Sequence, residues 1–471
     1  MLYPMPTGPR QVAPRQASAN PIARVVVWCQ EYRTVPTFDR RGFITGLGTA
    51  PFFVRHLLSA PPSGKLRLAS FGAAGMAYST LDGIATHPNV TLACVAEVDS
   101  SRVPRMQKKY PDAKIYTDWR EMLGKERKNL DIACVGTPDH MHAPQAMSAM
   151  RLGLHVYVQK PLTHDLFEAR KLAETARKRR LVSQMGIQVH SSREYKTAVR
   201  LVQDGAIGKI REVHAWSNKK WGDTSPFPNR TDPVPESLNW DQWLGVAASR
   251  PYIDKYYHPG EWRKRIDFGT ATFGDMGCHI YDPVFAALQL TSPISVRSEG
   301  PAPSEHSWAI NAIIHYVFPG TPFTEDKSVN VTWYDGDERP PADIQALAAG
   351  RRLPGQGSIF LGTKGVMILP HVGMPILLPQ DQFKDFAMPR LETVDHYHEF
   401  VDTVLGKTTT STTFDYAGPL TEAVLLGPLA TRFPKTTLEW DAKKMRFKNS
   451  KEATSFVRRK YRDGWKVKGL S

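Results

Sequence analysis

Short apolar runs recur in the chain from residue 65 onward, and a helical pattern separates each run from the next. Such runs lie at 66–71, 90–98 and 130–135. The run at 130–135 has two apolar faces, which is typical of a strand buried inside a parallel sheet. Alternation of buried strands with helices is the pattern of a doubly wound fold. We therefore predict a parallel α/β domain over residues 65–188.

The pattern changes after residue 188. An amphipathic helix is predicted over 192–203, and alternation over 209–217 predicts a strand. The stretch 216–262 is dense in Trp, Pro and Tyr, and long loops of this kind usually carry function. Later strands are predicted at 308–318, 328–334, 358–361 and 366–369. We expect an α+β domain over residues 189–445, built on a large open, mostly antiparallel sheet.

The net charge of +15 is concentrated at the two ends of the chain. Residues 1–65 carry eight Lys or Arg and two acidic residues, and residues 442–471 carry eleven and two. The body between them is neutral by count, which argues against a nucleic-acid partner. With no apolar run near 18 residues, we also expect no membrane span. Residues 446–471 are predicted to form a basic C-terminal segment.

Residues 1–64 form a Pro-rich leader with weak patterning, which we expect to be disordered. Asp39-Arg40-Arg41-Gly42-Phe43-Ile44-Thr45, followed by a mildly apolar stretch through Leu58, resembles a twin-arginine export signal. The leader therefore predicts an exported, periplasmic protein. The alternative is a basic extension on a cytoplasmic enzyme.

A glycine-rich turn follows the first predicted strand. Its sequence is Gly72-Ala73-Ala74-Gly75-Met76-Ala77, and the order strand, turn, helix is that of a dinucleotide-binding motif. Amides at the start of the helix would receive the pyrophosphate. Alanine at position 74 replaces the glycine that permits close backbone approach, so a βαβ unit that binds no nucleotide is the alternative. The residues expected to contact the cofactor here are Gly72, Ala74, Gly75 and Met76.

An acidic residue, Asp99, ends the second apolar run. In a dinucleotide-binding domain, an acid at this place accepts hydrogen bonds from the adenosine ribose hydroxyls. Its negative charge would also repel the 2′-phosphate of NADP. The sequence therefore favours NAD as the cofactor.

Two further predicted strands end in polar loops. Gly136-Thr137-Pro138-Asp139-His140-Met141-His142 follows one strand, and Gln159-Lys160-Pro161 follows the next. Ligands bind beyond the carboxyl ends of strands in open α/β sheets, so both loops should border the cofactor. The spacing His140-x-His142 is more typical of packing than of metal binding, and we predict no metal. Cofactor contacts are expected from Thr137, Pro138, His142, Gln159, Lys160 and Gln188.

The stretch Gly274-Asp275-Met276-Gly277-Cys278-His279 is the best candidate for the chemistry. On a helix, Asp275 and His279 project from one face, and Asp282 extends the same stripe. A carboxylate beside an imidazole orients the ring and raises its basicity. Among the upstream tryptophans, Trp262 with its neighbour Arg263 is the expected substrate contact. The predicted substrate residues are Trp262, Arg263, Asp275, His279 and Asp282.

These residues together resemble the Gfo/Idh/MocA oxidoreductase family, the group of glucose–fructose oxidoreductase and inositol dehydrogenase. Four landmarks occur in the family's order: the turn at 72–77, Thr137-Pro138 with His142, Gln159-Lys160-Pro161, and Asp275 with His279. The resemblance covers about residues 66–465. It implies an N-terminal Rossmann dinucleotide-binding domain and a second domain whose open sheet pairs between subunits as a dimer or tetramer.

The resemblance also implies roles for individual residues. Lys160 and His279 would be catalytic, with Asp275 beside them at the sugar hydroxyls. Gly72, Asp99, Thr137, Pro138 and His142 would line the cofactor. The family usually has E-K-P where this chain has Gln159, which keeps the shape of the side chain but lacks its charge.

The expected function is NAD-dependent oxidation or reduction of a secondary hydroxyl on a sugar, cyclitol or glycoside. His279 would remove the hydroxyl proton, and Lys160 would stabilise the developing alkoxide. One alternative is an NAD-dependent glycoside hydrolase that works through a transient 3-keto sugar and recycles its cofactor. A non-catalytic sugar- or NAD-binding protein is a third possibility, against which the retention of Lys160 and His279 argues.

Overall fold

The structure, a computed structural model, describes residues 64–471. The predicted twin-arginine motif and the rest of the leader up to residue 63 lie outside the described residues. No helix within the described range is long and apolar enough to cross a membrane.

The first domain is built on a six-stranded parallel sheet in the order β3-β2-β1-β4-β5-β6. Its strands, except the exposed edge strand at Lys114–Tyr116, are buried on both faces because helices cover each side. The strands are β1 (Leu66–Phe71), β2 (Val90–Ala96), β3 (Lys114–Tyr116), β4 (Ile132–Val135), β5 (His155–Gln159) and β6 (Ser183–Gly186). The helices are α1 (Met76–Ala85), α2 (Pro104–Lys109), α3 (Trp119–Glu126), α4 (His142–Arg151) and α5 (Leu166–Arg179).

The second domain is built on a nine-stranded sheet in the order β13-β12-β11-β7-β10-β9-β8-β14-β15. Only β10 and β7 run parallel among its described pairs, which confirms the mostly antiparallel sheet. The strands are β7 (Ile210–Ser217), β8 (Ser295–Glu299), β9 (Ile313–Pro319), β10 (Ser328–Asp335), β11 (Gln356–Gly362), β12 (Val366–Pro370), β13 (Ile376–Leu378), β14 (Thr437–Asp441) and β15 (Arg446–Phe447).

The second domain contains eight α-helices among the described residues. They are α6 (Arg193–Gln203), α7 (Trp240–Leu244), α8 (Ala271–Ile280), α9 (Asp282–Leu288), α10 (Ala342–Ala346), α11 (His396–Val404), α12 (Phe414–Thr431) and α13 (Lys451–Ser455). α12 is almost wholly buried, as expected for a helix that is apolar all round. It packs on α5 of the first domain and on α8 of the second, and so joins the two.

Several strand predictions differ from the structure at their ends. The second strand ends at Ala96 rather than at residue 98. The strand predicted from residue 308 begins at Ile313, because the Trp308 indole turns away to donate to the carbonyl of Gly269 at 2.8 Å. Both segments are apolar, but tertiary contacts rather than apolar pattern decide where pairing stops.

The basic C-terminal segment folds back on the first domain. The Tyr461 hydroxyl donates to Glu168 of α5 at 2.6 Å, and the Trp465 ring lies under the guanidinium of Arg120 at 4.1 Å. These contacts lie on a surface of the first domain formed by α3 and α5. The segment is therefore part of the fold, and its positive charge is distributed over packed and exposed positions. The predicted domain boundaries stay predictions.

Candidate active site

The glycine-rich turn joins β1 to α1 with very little space. Gly72 has φ +100°, and a Cβ there would lie 2.7 Å from the Cβ of Ala77. A Cβ on Gly136, at the end of β4, would also lie 2.7 Å from Ala77. Gly75 caps α1 with φ +58°, and Met76 is exposed. The backbone at Ala74, Gly75 and Met76 is therefore open at a helix N-terminus, which suits a pyrophosphate.

The acid that meets this turn is Glu97, not Asp99. Glu97 directly follows β2, and its carboxylate accepts from the amide of Ala73 at 2.9 Å. Asp99 instead caps a 3₁₀ turn through Ser101 and contacts His258 Nε2 at 2.9 Å. The prediction placed the acid two residues too late, because the apolar Val98 extends the run beyond the end of the strand. Glu97 is the residue that sequence reasoning missed.

His142 ties the two polar loops together. Its Nδ1 lies 2.7 Å from the carbonyl of Pro161, and its Nε2 lies 2.8 Å from the carbonyl of Thr137. Burial lowers the pKa of His142 to about 4, so the ring is neutral near pH 7 and its single N–H donates to one of the two carbonyls at a time. The imidazole therefore holds the loop containing Thr137 and Pro138 against the loop that carries Lys160.

The other two predicted cofactor residues lie beneath the turn. The Gln159 amide donates to Thr80 of α1 at 2.8 Å, and its side chain is buried. Gln188 donates to the hydroxyls of Tyr157 and Tyr397 at 3.3 and 3.2 Å. Gln159 therefore supports α1 through a neutral hydrogen bond, which needs no charge at this position.

Lys160 and Asp275 form an ion pair between the two domains. Lys160 Nζ donates to Asp275 Oδ1 at 2.6 Å and to the Asp275 carbonyl at 2.9 Å, and the two side chains are only 12% and 15% exposed. Burial by itself would raise the pKa of Asp275, but the charges of Lys160 and Arg263 outweigh it and lower the pKa below its usual range. The carboxylate is therefore ionised and holds Lys160 in place.

The tryptophan that reaches the site is Trp221. Its indole N–H donates to Asp275 Oδ2 at 2.8 Å, so both carboxylate oxygens are engaged. Arg263 lies 3.5 Å from Oδ1 and packs over the ring of Trp262 at 4.3 Å. Trp262 itself is buried in an aromatic cluster with Trp243 and other residues. The structure thus brings Arg263 to the site and leaves Trp262 as its support.

His279 lies one turn beyond Asp275 on α8, as its spacing predicts. Burial and the charge of Lys160 lower the pKa of His279 well below its ordinary value, so the ring is a neutral base. Its Nδ1 is buried without a hydrogen-bond partner among residues 64–471. His371, which follows β12, lies with its ring centroid 5.7 Å from that of His279, and the sequence offered no signal for it.

Asp282 does not share the stripe of Asp275 and His279. α8 ends at Ile280, and Asp282 begins α9. Its buried carboxylate contacts His190 Nδ1 at 2.9 Å and accepts from the Tyr416 hydroxyl at 2.5 Å. The break between the helices turns Asp282 toward α6 and α12. Its contacts are those of a structural residue, and the stripe predicted from a continuous helix ends at His279.

Asp139 is a second residue that sequence reasoning missed. It follows β4, and its carboxylate accepts from Thr270, at the start of α8, at 2.8 Å. Burial raises the pKa of Asp139 to about 7, against the opposing charge of Arg263. Asp139 therefore connects the first domain to the helix that carries Asp275 and His279.

We expect Asp139→Asn to stabilise the protein at pH 8 and to have little effect at pH 4. The folded carboxyl has a pKa of about 7, against 3.8 as the ordinary value, so the wild type loses stability as the pH rises between these values. Asparagine is neutral throughout. Urea unfolding at pH 4, 6 and 8 measures the difference, with Asp204→Asn at an exposed helix end as the control. A difference between variant and wild type that does not change with pH would contradict the prediction.

Two family models match the chain over this architecture. Residues 66–187 match the Gfo/Idh/MocA oxidoreductase family's NAD-binding Rossmann fold, and residues 200–320 match the family's C-terminal alpha/beta domain. The chain belongs to the Gfo/Idh/MocA oxidoreductase family. The resemblance drawn from the four landmarks is confirmed, as are the fold class and NAD as the cofactor.

Individual relatives match mainly one part of the chain. The dTDP-3,4-didehydro-2,6-dideoxy-alpha-D-glucose 3-reductase of Streptomyces antibioticus is 31% identical over 155 residues, 33% of this chain and 46% of the relative. The alpha-N-acetylgalactosaminidase of Shewanella oneidensis is 25% identical over 162 residues, 32% of this chain and 35% of the relative. The chain thus spans less than half the length of these curated relatives.

The fold as a whole is similar to that of solved structures. GenD2 from gentamicin A biosynthesis, solved in complex with NAD, has a TM-score of 0.53 and 17% identity to this chain. The match covers 80% of this chain and 97% of GenD2. At this identity the likeness concerns the fold, and it includes both domains.

Proposed function

We propose that this protein is an NAD-dependent oxidoreductase that acts on a secondary hydroxyl of a sugar, cyclitol or glycoside. The observation that carries the proposal is the meeting of Lys160 from the first domain with Asp275 and His279 from the second. Lys160 follows β5 at the carboxyl edge of the parallel sheet, the edge at which dinucleotides bind in this fold. The similarity to a dTDP-sugar reductase supports a carbohydrate substrate.

Each residue of the site has a separate role in the proposed reaction. His279, neutral at pH 7, takes the proton of the reacting hydroxyl, and Lys160 donates a hydrogen bond to the oxygen as it becomes negative. Asp275, fixed by Trp221, holds Lys160 and remains ionised. NAD, when bound, supplies the hydride acceptor. Gly72 and Gly75 would leave room for its pyrophosphate, and Glu97 would accept from its ribose hydroxyls.

A panel of sugars tests the proposal directly. Purified protein is incubated with NAD and with D-glucose, D-galactose, N-acetyl-D-galactosamine or myo-inositol, and NADH is followed by absorbance. We expect at least one sugar to give sustained NADH formation that Lys160→Met abolishes. NADH formation that Lys160→Met does not change would place the activity elsewhere.

A second candidate is a glycoside hydrolase that recycles its NAD, favoured by the similarity to an alpha-N-acetylgalactosaminidase. The same pair of Lys160 and His279 would serve it, since both reactions begin by removing a hydroxyl proton. Release of nitrophenol from p-nitrophenyl N-acetyl-α-D-galactosaminide without net NADH would support the hydrolase. NADH accumulation without nitrophenol would support the oxidoreductase.

Glu97 predicts the preference for NAD over NADP. Glu97→Ser should weaken NAD binding and narrow the difference between the two nucleotides, because the variant lacks the charge that repels a 2′-phosphate. Asp99→Ser is the matched control, since Asp99 is occupied by Ser101 and His258. Calorimetric titration with both nucleotides measures the affinities. If only Asp99→Ser changes the affinities for the two nucleotides, Asp99 is the ribose contact, as the sequence predicts.

Location and assembly belong to the same proposal. The twin-arginine-like leader supports export to the periplasm, with a cytoplasmic enzyme as the alternative.

The open nine-stranded sheet supports a homo-oligomer. Large apolar side chains are exposed on or near the segments that flank β12 and β13, among them Val372, Met374 and Phe386. Light scattering of the purified protein measures its molar mass in solution, and a monomer at all concentrations would contradict the proposed homo-oligomer.

A further inference from the structure

His371 adds a group to the site that the D-x-x-x-H motif does not include. It follows β12, and its backbone N–H donates to the carbonyl of Gln356 at 3.0 Å. Its ring lies at 40° to that of His279. After burial, the charge of Lys160 is the strongest influence that lowers the pKa of both imidazoles.

Tyr195 of α6 contacts the ring of His371. The Tyr195 hydroxyl and His371 Nδ1 are 2.7 Å apart. Burial raises the pKa of Tyr195 far above its ordinary value, so the hydroxyl keeps its proton and can donate to Nδ1. Burial and the charges of Lys160 and Lys219 lower the pKa of His371 to about 4. A neutral ring that accepts at Nδ1 carries its N–H at Nε2, from which it can donate to a ligand.

The imidazole rings of His279 and His371 lie side by side, with their centroids 5.7 Å apart. Two adjacent imidazoles, one a base and the other a fixed donor, offer separate contacts to neighbouring oxygens of one ligand. Adjacent hydroxyls on a sugar ring have this arrangement.

We propose that His371 is a further substrate-binding residue, donating from Nε2 to the hydroxyl next to the one that His279 deprotonates. The substrate class is then a vicinal diol: a sugar or cyclitol with a free hydroxyl beside the reacting carbon. This inference rests on the proposed function. Tyr195 is the positioning residue, because it contacts His371 and not the reacting group.

The test compares two substrates in four proteins. The substrates are the most active sugar of the panel and its deoxy analogue, which lacks the hydroxyl beside the reacting carbon. The proteins are the wild type, His371→Ala, Tyr195→Phe and Tyr334→Phe. Tyr334 is the matched control because its hydroxyl lies 2.9 Å from His214 Nδ1. His214 alternates with Val213 and Ala215 of the main core, so it faces away from α8.

We expect the wild type to lose at least ~10-fold in kcat/KM on the analogue. His371→Ala should lose a similar factor on the parent sugar and little more on the analogue, because the hydrogen bond is already absent. Tyr195→Phe should act mainly through KM, and the ¹⁵N spectrum of His371 should show that a single Nε2–H tautomer is lost. Tyr334→Phe should match the wild type on both substrates.

Two outcomes separate this inference from the function on which it rests. If the fall in kcat/KM from the parent sugar to the analogue is the same in His371→Ala as in the wild type, His371 does not bind that hydroxyl. The proposed oxidoreductase activity would be unaffected by this result. No NADH from any sugar with the wild type would overturn the proposed function, and the assignment of a vicinal diol with it.

Discussion

We expect Lys160→Met to lower turnover by at least ~10²-fold, the usual scale for a lost charge or proton-transfer group, and His279→Ala to do the same. Lys160 is held by two contacts to Asp275, and methionine keeps the length of its side chain without the donor. His279 supplies the base. Initial rates of NADH formation at saturating sugar measure both variants.

The double variant distinguishes one site from two. Groups that act on the same proton transfer fail as a unit, so Lys160→Met combined with His279→Ala should lose far less than the product of the single losses. NAD affinity should be nearly unchanged in His279→Ala, because this residue lies on α8 of the second domain. Near-wild-type turnover in both single variants, with folding intact, would mean that other residues carry the reaction.

We expect Asp275→Ala to lower the free energy of unfolding by about 3–5 kcal/mol, the usual cost of removing one partner of a buried ion pair. The carboxylate faces Lys160, Trp221 and Arg263, and its loss leaves two positive charges close together in a buried place. Urea unfolding at pH 7, followed by tryptophan fluorescence, measures the change.

Two further variants test whether the lost negative charge of Asp275 causes the lower free energy of unfolding. Asp275→Asn keeps the size of the side chain and an acceptor for Trp221, so any loss beyond that of a hydrogen bond reports the charge. Lys160→Met combined with Asp275→Ala removes both partners and should be more stable than Asp275→Ala alone. If the double variant is less stable than either single variant, the ion pair is not the source of the loss.

Local pattern alone was sufficient for the first domain and for part of the site. The apolar runs at β1 and β4 and the glycine-rich turn predicted the parallel sheet, because strands buried on both faces are mostly apolar along their length. The spacing of Asp275 and His279 predicted their shared helix face, because four residues are close to one helical turn. Lys160 was predicted from its place after a strand.

Contacts between segments far apart in the chain decided which of several similar residues reach the site. Glu97 and Asp99 are both acids after one apolar run, and only the end of β2 at Ala96 shows which one meets the turn. Trp221 and Trp262 are alike in the sequence, but packing buries one in the core and turns the other to Asp275. The break after α8 is marked in the sequence by Pro283 at the start of α9, but the proline does not show which way the new helix turns Asp282.

The sequence by itself determined the family, the cofactor and the residues whose role depends on local spacing. The tertiary structure decided which groups surround them. His371 and Asp139 lie 92 and 140 residues from His279 in the chain, and no periodicity links positions that far apart. They meet α8 because the segments that follow β4 and β12 approach it: Thr270 donates to the Asp139 carboxylate, and the His371 ring lies beside that of His279. This follows only from how the two domains pack.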